Sequence, residues 1–413
     1  MTLHPLIIHR LSAVRTHSEA TAIWSDHSDE LENYTFVLSQ PGERSANWPA
    51  KLDLSGGGFL RAVFAHDELL FTSHEILADM LGEKEQAYVP LDYTIGFDSN
   101  VGQYLCNLVE GRSSVVVENV RQTLRELSRR RFNWEVMPVL MEHSEAIMTG
   151  RDLDHVWRVV HASEYFSACD LRHFADTGVL RLQKNEASVQ ADTQRALSEW
   201  HRVLSHGEID RIRDSHVLYH VLLLKIALLH RSRPSPRDTC RNLCDFLEFM
   251  CGTVGINLPW MLWAAAGLFE HGGAFEPLRK LTAGREHLIR NSRNIAWDVM
   301  HYVDRRQLAG HHGRNGAFLL PYTLTFDRGL ARWMDRQAQR SCLILEGERM
   351  PQFFAEYGIQ NDLMERFCTD QNWVNAVARH FTIDAHHQRS NRWRFATNHL
   401  EALREEQEAA IYS

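Results

Sequence analysis

Two apolar runs, each ending in an aspartate and passing directly into a helix start, constrain this chain most. The first is Tyr93-Thr94-Ile95-Gly96-Phe97-Asp98-Ser99-Asn100, with a helix-like stretch from Val101 to Val109. The second is Leu319-Leu320-Pro321-Tyr322-Thr323-Leu324-Thr325-Phe326-Asp327, with Arg328-Gly329-Leu330 opening the next helix. In parallel α/β sheets ligands bind beyond the carboxyl ends of the strands, so an acid there faces substrate instead of core. The same position also suits a helix cap. The pattern predicts a central parallel sheet flanked by helices, with Asp98 and Asp327 at the C-terminal ends of adjacent strands.

Two further segments add acids in the same style. Trp134-Glu135-Val136-Met137-Pro138-Val139-Leu140-Met141-Glu142 is an apolar run with a proline inside it. It leads to Glu142, with Glu135 and Glu145 close by. Arg293-Asn294-Ile295-Ala296-Trp297-Asp298-Val299-Met300-His301-Tyr302 reads as a buried helix carrying Asp298. Asn294 lies four residues before that carboxylate on the same helix face, and Asp304 is the neighbouring acid.

Converging carboxylates suit phosphodiester hydrolysis. That reaction needs phosphate charge neutralised and hydroxide made near neutral pH, which one or two Mg²⁺ or Mn²⁺ ions supply. These hard cations take oxygen ligands, and acids gathered at one sheet edge would otherwise repel one another. No close His/Cys set competes as a ligand group. Cys240 and Cys244 stand one helical turn apart, but no second pair stands at zinc spacing.

The order of these motifs resembles the PIN-domain nucleases. A first strand ends in Asp-x-Asn, matched by Asp98 and Asn100. A proline-bearing strand leads to a glutamate at a helix start, matched by Pro138 and Glu142. A later helix carries an aspartate, matched by Asp298. A strand then ends in Thr-x-Asp with leucine shortly after, matched by Thr325, Asp327 and Leu330. The resemblance covers roughly residues 90–150 and 285–340. It implies that Asp98, Glu142, Asp298 and Asp327 are catalytic and hold Mg²⁺ or Mn²⁺. Asp98 would be the central ligand, with Asn100, Thr325 and Asn294 supporting the carboxylates. It also implies a nuclease acting on single-stranded nucleic acid, RNA favoured over DNA, in the manner of a toxin or defence effector. A protein partner or a homo-oligomer is compatible with it. Two other readings stand beside it. One is a PIN-like scaffold without activity that serves in a complex. The other is a phosphatase resembling the haloacid dehalogenase family, which wants Asp-x-Asp where this chain has Asn100.

At 413 residues the chain is long enough for two or three domains. With 44% hydrophobic and 24% charged residues it can bury a core. A net charge of −8 argues against coating duplex DNA and leaves room for a narrow site. Seven cysteines, and a start from Met1 to His9 without a basic flank or cleavage site, predict reduced thiols in a cytoplasmic protein. The most apolar runs, Val217–Leu229 and Ile256–Phe269, fall short of the ~20 residues that span a bilayer, so no membrane association is expected.

The expected organisation has five parts. Residues 1–90 form a mixed α/β region, with Ile7-Ile8 and Tyr34–Leu38 strand-like and a capped helix over Ser73–Gly82. Ser55-Gly56-Gly57-Gly58 lacks the Gly-Lys-Ser/Thr ending of a phosphate loop and reads as a turn. Residues 91–150 and 285–340 form the two parts of the PIN-like domain. Residues 151–284 are a helical insertion, and the helical periodicity, continuing to 290, predicts a block outside the sheet. Residues 341–413 form a helical C-terminal region. Three features stand apart as basic or polar surface: Arg129-Arg130-Arg131, the loop containing His311-His312, and the Arg389, Arg392 and Arg394 cluster.

Overall fold

A computed structural model of the chain describes residues 3–42, 48–81, 89–130, 132–309, 318–346, 351–356, 358–381 and 397–412. The His311-His312 loop, Arg131 and the Arg389–Arg394 cluster lie outside these residues. Contacts divide the chain into two compact units. The first comprises Met1–Arg202, Tyr302–Asp327 and Met334–Tyr357; the second comprises Val203–His301, Arg328–Trp333 and Gly358–Ser413.

The first unit holds both sheets. The strands are β1 (Tyr34–Gln40), β2 (Lys51–Asp53), β3 (Phe59–Ala62), β4 (Glu68–Ser73), β5 (Leu91–Phe97), β6 (Asn133–Glu135), β7 (Phe318–Thr325), β8 (Gln339–Leu345) and β9 (Gln352–Ala355). Five form one sheet in the order β2-β3-β7-β5-β6, and four form another in the order β4-β1-β8-β9. In the first sheet β6, β5 and β7 run parallel, whereas β3 is antiparallel to β7 and β2 to β3. The expected parallel sheet is therefore present in part, its other half antiparallel. The antiparallel half comes from residues 51–62, read above as part of a separate N-terminal region. Pairing between distant strands leaves no periodic trace that would show which sheet a strand joins.

The register explains a proline in a central strand. Pro321 has no N–H to give a ladder. Pairing of β3 with β7 ends at Ala62 opposite Tyr322, and Phe64 then bridges Gln339 instead. The missing donor thus falls where β3 departs.

The four-stranded sheet is covered by two helices, Pro5–Ala13 and His17–Asp26, which bury Ile7, Leu11, Ile23 and Trp24 against Phe36, Leu38 and Leu343. Ile7-Ile8, expected as strand, is helical because His4 caps the Leu6 amide and Pro5 opens the first turn. Ser73 caps the helix His74–Leu81 as the sequence suggests, its hydroxyl accepting from the Ile76 amide at 3.3 Å. Ser55–Gly58 is the connection between β2 and β3. Gly57 takes φ +82°, and a Cβ on Gly56 would meet the Asn119 carbonyl oxygen at 1.9 Å. Those two constraints account for the glycines without any phosphate. Arg130, from the basic run, lies over the Trp48 ring at 4.7 Å.

Residues 151–290 contribute no strand to either sheet; a single isolated bridge joins Cys169 to Leu182. The expectation of a helical block holds, but the unit boundary falls inside it, after Arg202. The C-terminal region is not wholly helical, since β8 and β9 reach into residues 341–355. No disulfide joins any of the seven cysteines. No helix among the described residues is long and apolar enough to cross a membrane.

The second unit is built on helices, among them Ile209–Ser232, Pro259–His271 and the N-terminal part of Arg285–Leu308. His216 stacks on Trp297 at 4.1 Å between ring centroids, and His220 bonds the Ser292 hydroxyl at 3.0 Å. Burial pushes His216 down to about 4. Burial, then the neighbouring His216, pushes His220 down to about 3. Their ordinary value is 6.5, so the unfolded chain binds protons first as the pH falls. The stability these groups provide is complete above about pH 6.5 and is lost as the pH drops towards 4. The urea midpoint of the second unit is expected to hold from pH 7.5 to about 6.5 and to fall from there towards pH 4. A double variant, His216→Gln with His220→Gln, should flatten that slope. An equal slope in wild type and variant would refute the assignment.

Candidate functional site

Asp98 follows β5 directly and caps the helix Ser99–Val109. Its Oδ1 accepts the Val101 amide at 2.8 Å. Its Oδ2 accepts the hydroxyl of Thr325, the last residue of the adjacent parallel strand β7. Thr325 Oγ1 in turn accepts the Asp327 amide at 2.9 Å. The Asp98 amide donates to the Leu324 carbonyl at 3.2 Å, extending the ladder of β5 and β7 to their ends. Asp98 is 2% exposed and Thr325 fully buried, whereas Asp327 is partly exposed. The structure thus places Asp98, Thr325 and Asp327 together at the C-terminal edge of two adjacent parallel strands. These two bonds orient the Asp98 carboxylate.

The other expected residues stand as follows. Glu142 ends the helix Met137–Glu142 and does not begin one; it is partly exposed. That helix packs beside β5 and the helix Ser99–Val109. Pro138 lies in its first turn, where a missing N–H costs nothing, and the strand before it is only Asn133–Glu135. Asp298 is partly exposed and Asn294 exposed on the helix Arg285–Leu308, in the portion belonging to the second unit. Asn100, expected to support the carboxylates, is exposed at the second position of its helix. The group that holds Asp98 from that side is the backbone amide of Val101. A cap was legible in the sequence, but its partner was not.

The acid at the end of β6 is Glu135, and it is already committed. The register sets Glu135 beside Gly96 and Gly96 beside Thr323, with Arg61 opposite Thr323, so these residues share one sheet face. Arg305, 2% exposed, enters that face. Its Nη1 pairs with Glu135, and its Nη2 donates to the Thr94 carbonyl at 3.2 Å and the Tyr322 carbonyl at 3.0 Å. One guanidinium therefore grips β5, β6 and β7. Gly96 makes room for it: a Cβ there would stand 2.7 Å from Arg305 Cζ. This ion pair makes Glu135 a structural partner of Arg305. Sequence reasoning missed Arg305. The signal for it, a glycine inside a strand otherwise built of bulky residues, marks a close approach.

Among the described residues no three His, Cys, Asp or Glu side chains form a ready-made metal cage. The donors at the edge are oxygens, which suit hard cations. Mg²⁺ in particular keeps several waters and is commonly held by one or two carboxylates together with substrate phosphates. Asp98 and Asp327 fit that mode better than the closed site of a structural metal. The N-terminus of the helix Ser99–Val109 faces the same edge and favours negative charge there. Compared with known proteins, the chain matches no family model, no curated protein and no solved structure.

Proposed function

We propose that the chain is a PIN-like, divalent-metal-dependent nuclease that hydrolyses phosphodiester bonds of single-stranded nucleic acid, with RNA favoured. The observation that supports it best is the pair of parallel strands ending in Asp98 and Asp327 with Thr325 between them. Asp98 and Asp327 would hold Mg²⁺ or Mn²⁺; Glu142 and Asp298 enter as ligands on the resemblance alone. Bound there, the ion would neutralise phosphate charge and lower the pKa of a water. The chain's own part is orientation. Thr325 and the Val101 amide fix the Asp98 carboxylate, and outer-shell bonds of this kind typically govern ~10–100-fold of metal affinity or activity. The role as toxin or defence effector rests on the resemblance alone.

A second reading, the inactive scaffold in a complex, is favoured by one feature: Asp98 is buried and both its oxygens serve the fold. The phosphatase reading loses ground, because the position two residues after Asp98 holds an exposed Asn100 and no acid. The deciding experiment offers purified protein labelled single-stranded RNA and DNA with Mg²⁺, Mn²⁺ or EDTA. Cleavage is expected with either ion and none in EDTA. Cleavage that persists in EDTA contradicts the proposal, and silence on every substrate favours the scaffold.

A further inference from the structure

Two aromatic rings flank the carboxylate edge. Phe326 lies between Thr325 and Asp327, just past the end of β7. Tyr104 lies on the helix that Asp98 caps. Their centroids are 6.0 Å apart at an interplanar angle of 80°. Both are partly exposed. In an edge-to-face pair one ring turns its edge to the other, so the partner does not cover the faces of that first ring. Exposed Asn100 precedes Tyr104 by four residues, so its amide shares that helix face. The edge therefore presents hard oxygen donors, an aromatic pair and an amide side by side.

We propose that Tyr104 and Phe326 form a stacking platform for one unpaired base of the substrate, with the Asn100 amide available to the base edge. The proposal rests on the nuclease reading for the substrate class and adds the group that selects single strands. A base inside a duplex is stacked on both faces and has none to offer. A base in a single strand can be splayed onto an aromatic ring, with little regard to its identity. Stacking of this kind is sequence-tolerant, and losing one platform costs roughly 10–100-fold in affinity.

The test separates binding from cleavage. Binding of fluorescein-labelled 12-nucleotide single strands is measured by anisotropy in the full-length protein carrying Asp98→Asn, for intact strands and for strands with abasic sites. Phe326→Ala and Tyr104→Ala are each expected to weaken the intact strand roughly 10–100-fold and to leave the abasic strand unchanged. Phe326→Trp should restore binding of the intact strand. Phe326→Leu keeps apolar bulk for folding and should still lose the affinity. In the background with Asp98 intact, the alanine variants should raise KM and spare kcat. Equal losses for intact and abasic strands, affinities equal to that of the parent, or no single-strand binding by the parent would each overturn the platform. Base-dependent binding without any metal-dependent cleavage would keep the platform and remove the nuclease.

Discussion

Asp98→Asn is expected to fold as wild type does and to lose turnover by more than the ~10–100-fold typical of outer-shell metal partners. The local geometry explains why the fold should survive. Asn caps helices about as well as Asp, so the side-chain carbonyl can still accept the Val101 amide. The side-chain amide then faces Thr325, whose hydroxyl oxygen can accept where it now donates. What disappears is one negative charge at the edge shared with Asp327. If that edge carries other acids, the metal-free protein should gain slightly in stability from reduced repulsion. Asp98→Ala is a poorer probe, because it also removes the cap, at about 1 kcal/mol. The check is turnover on labelled single-stranded RNA beside a thermal melt of each variant. An Asp98→Asn protein as active as wild type would remove Asp98 from the mechanism.

Arg305→Met should destabilise the first unit by about 3 kcal/mol. Removing one partner of a buried ion pair strands the other charge, which generally costs about 3–5 kcal/mol. The low end applies because the Glu135 side chain is 23% exposed and can recruit water. Two backbone carbonyls also lose a donor. For a unit of this size the unfolding midpoint should drop by roughly 6–12 °C. Glu135→Gln keeps a hydrogen-bonding partner for the guanidinium and should cost less. An unchanged midpoint for Arg305→Met would show that the clamp across β5, β6 and β7 contributes nothing net.

The contrast between Asp98 and Arg305 shows what a sequence of this kind reveals. The runs ending in Asp98 and Asp327 are legible because burial on both faces of a parallel strand demands continuous apolar residues, and helix starts favour short acids. Thr325 is legible as the hydroxyl beside the acid. The helical nature of residues 151–290 is legible from a local period. Arg305 is not, because an arginine in the last turn of a helix reads as a solvated end. Its partner Glu135 and the glycine that admits it lie far away in sequence. The N-terminal strands fail for a similar reason. β2 and β3 look like a separate region until the register places Phe59 opposite Thr325. From sequence Glu142 falls at a helix start, because the apolar run with Pro138 reads as strand. In the structure the proline opens a helix and Glu142 closes it.

The metal is the centre of the proposed function, and Mn²⁺ binding can be measured without a substrate. Titration of the full chain with Mn²⁺, followed by electron paramagnetic resonance of the free ion, should show saturable binding in wild type. Asp98→Asn should lose most of it, Asp327→Asn should weaken it, and Glu135→Gln should leave it unchanged. A wild-type protein that binds no Mn²⁺, or an Asp98→Asn protein that binds it as tightly as wild type, would contradict the account.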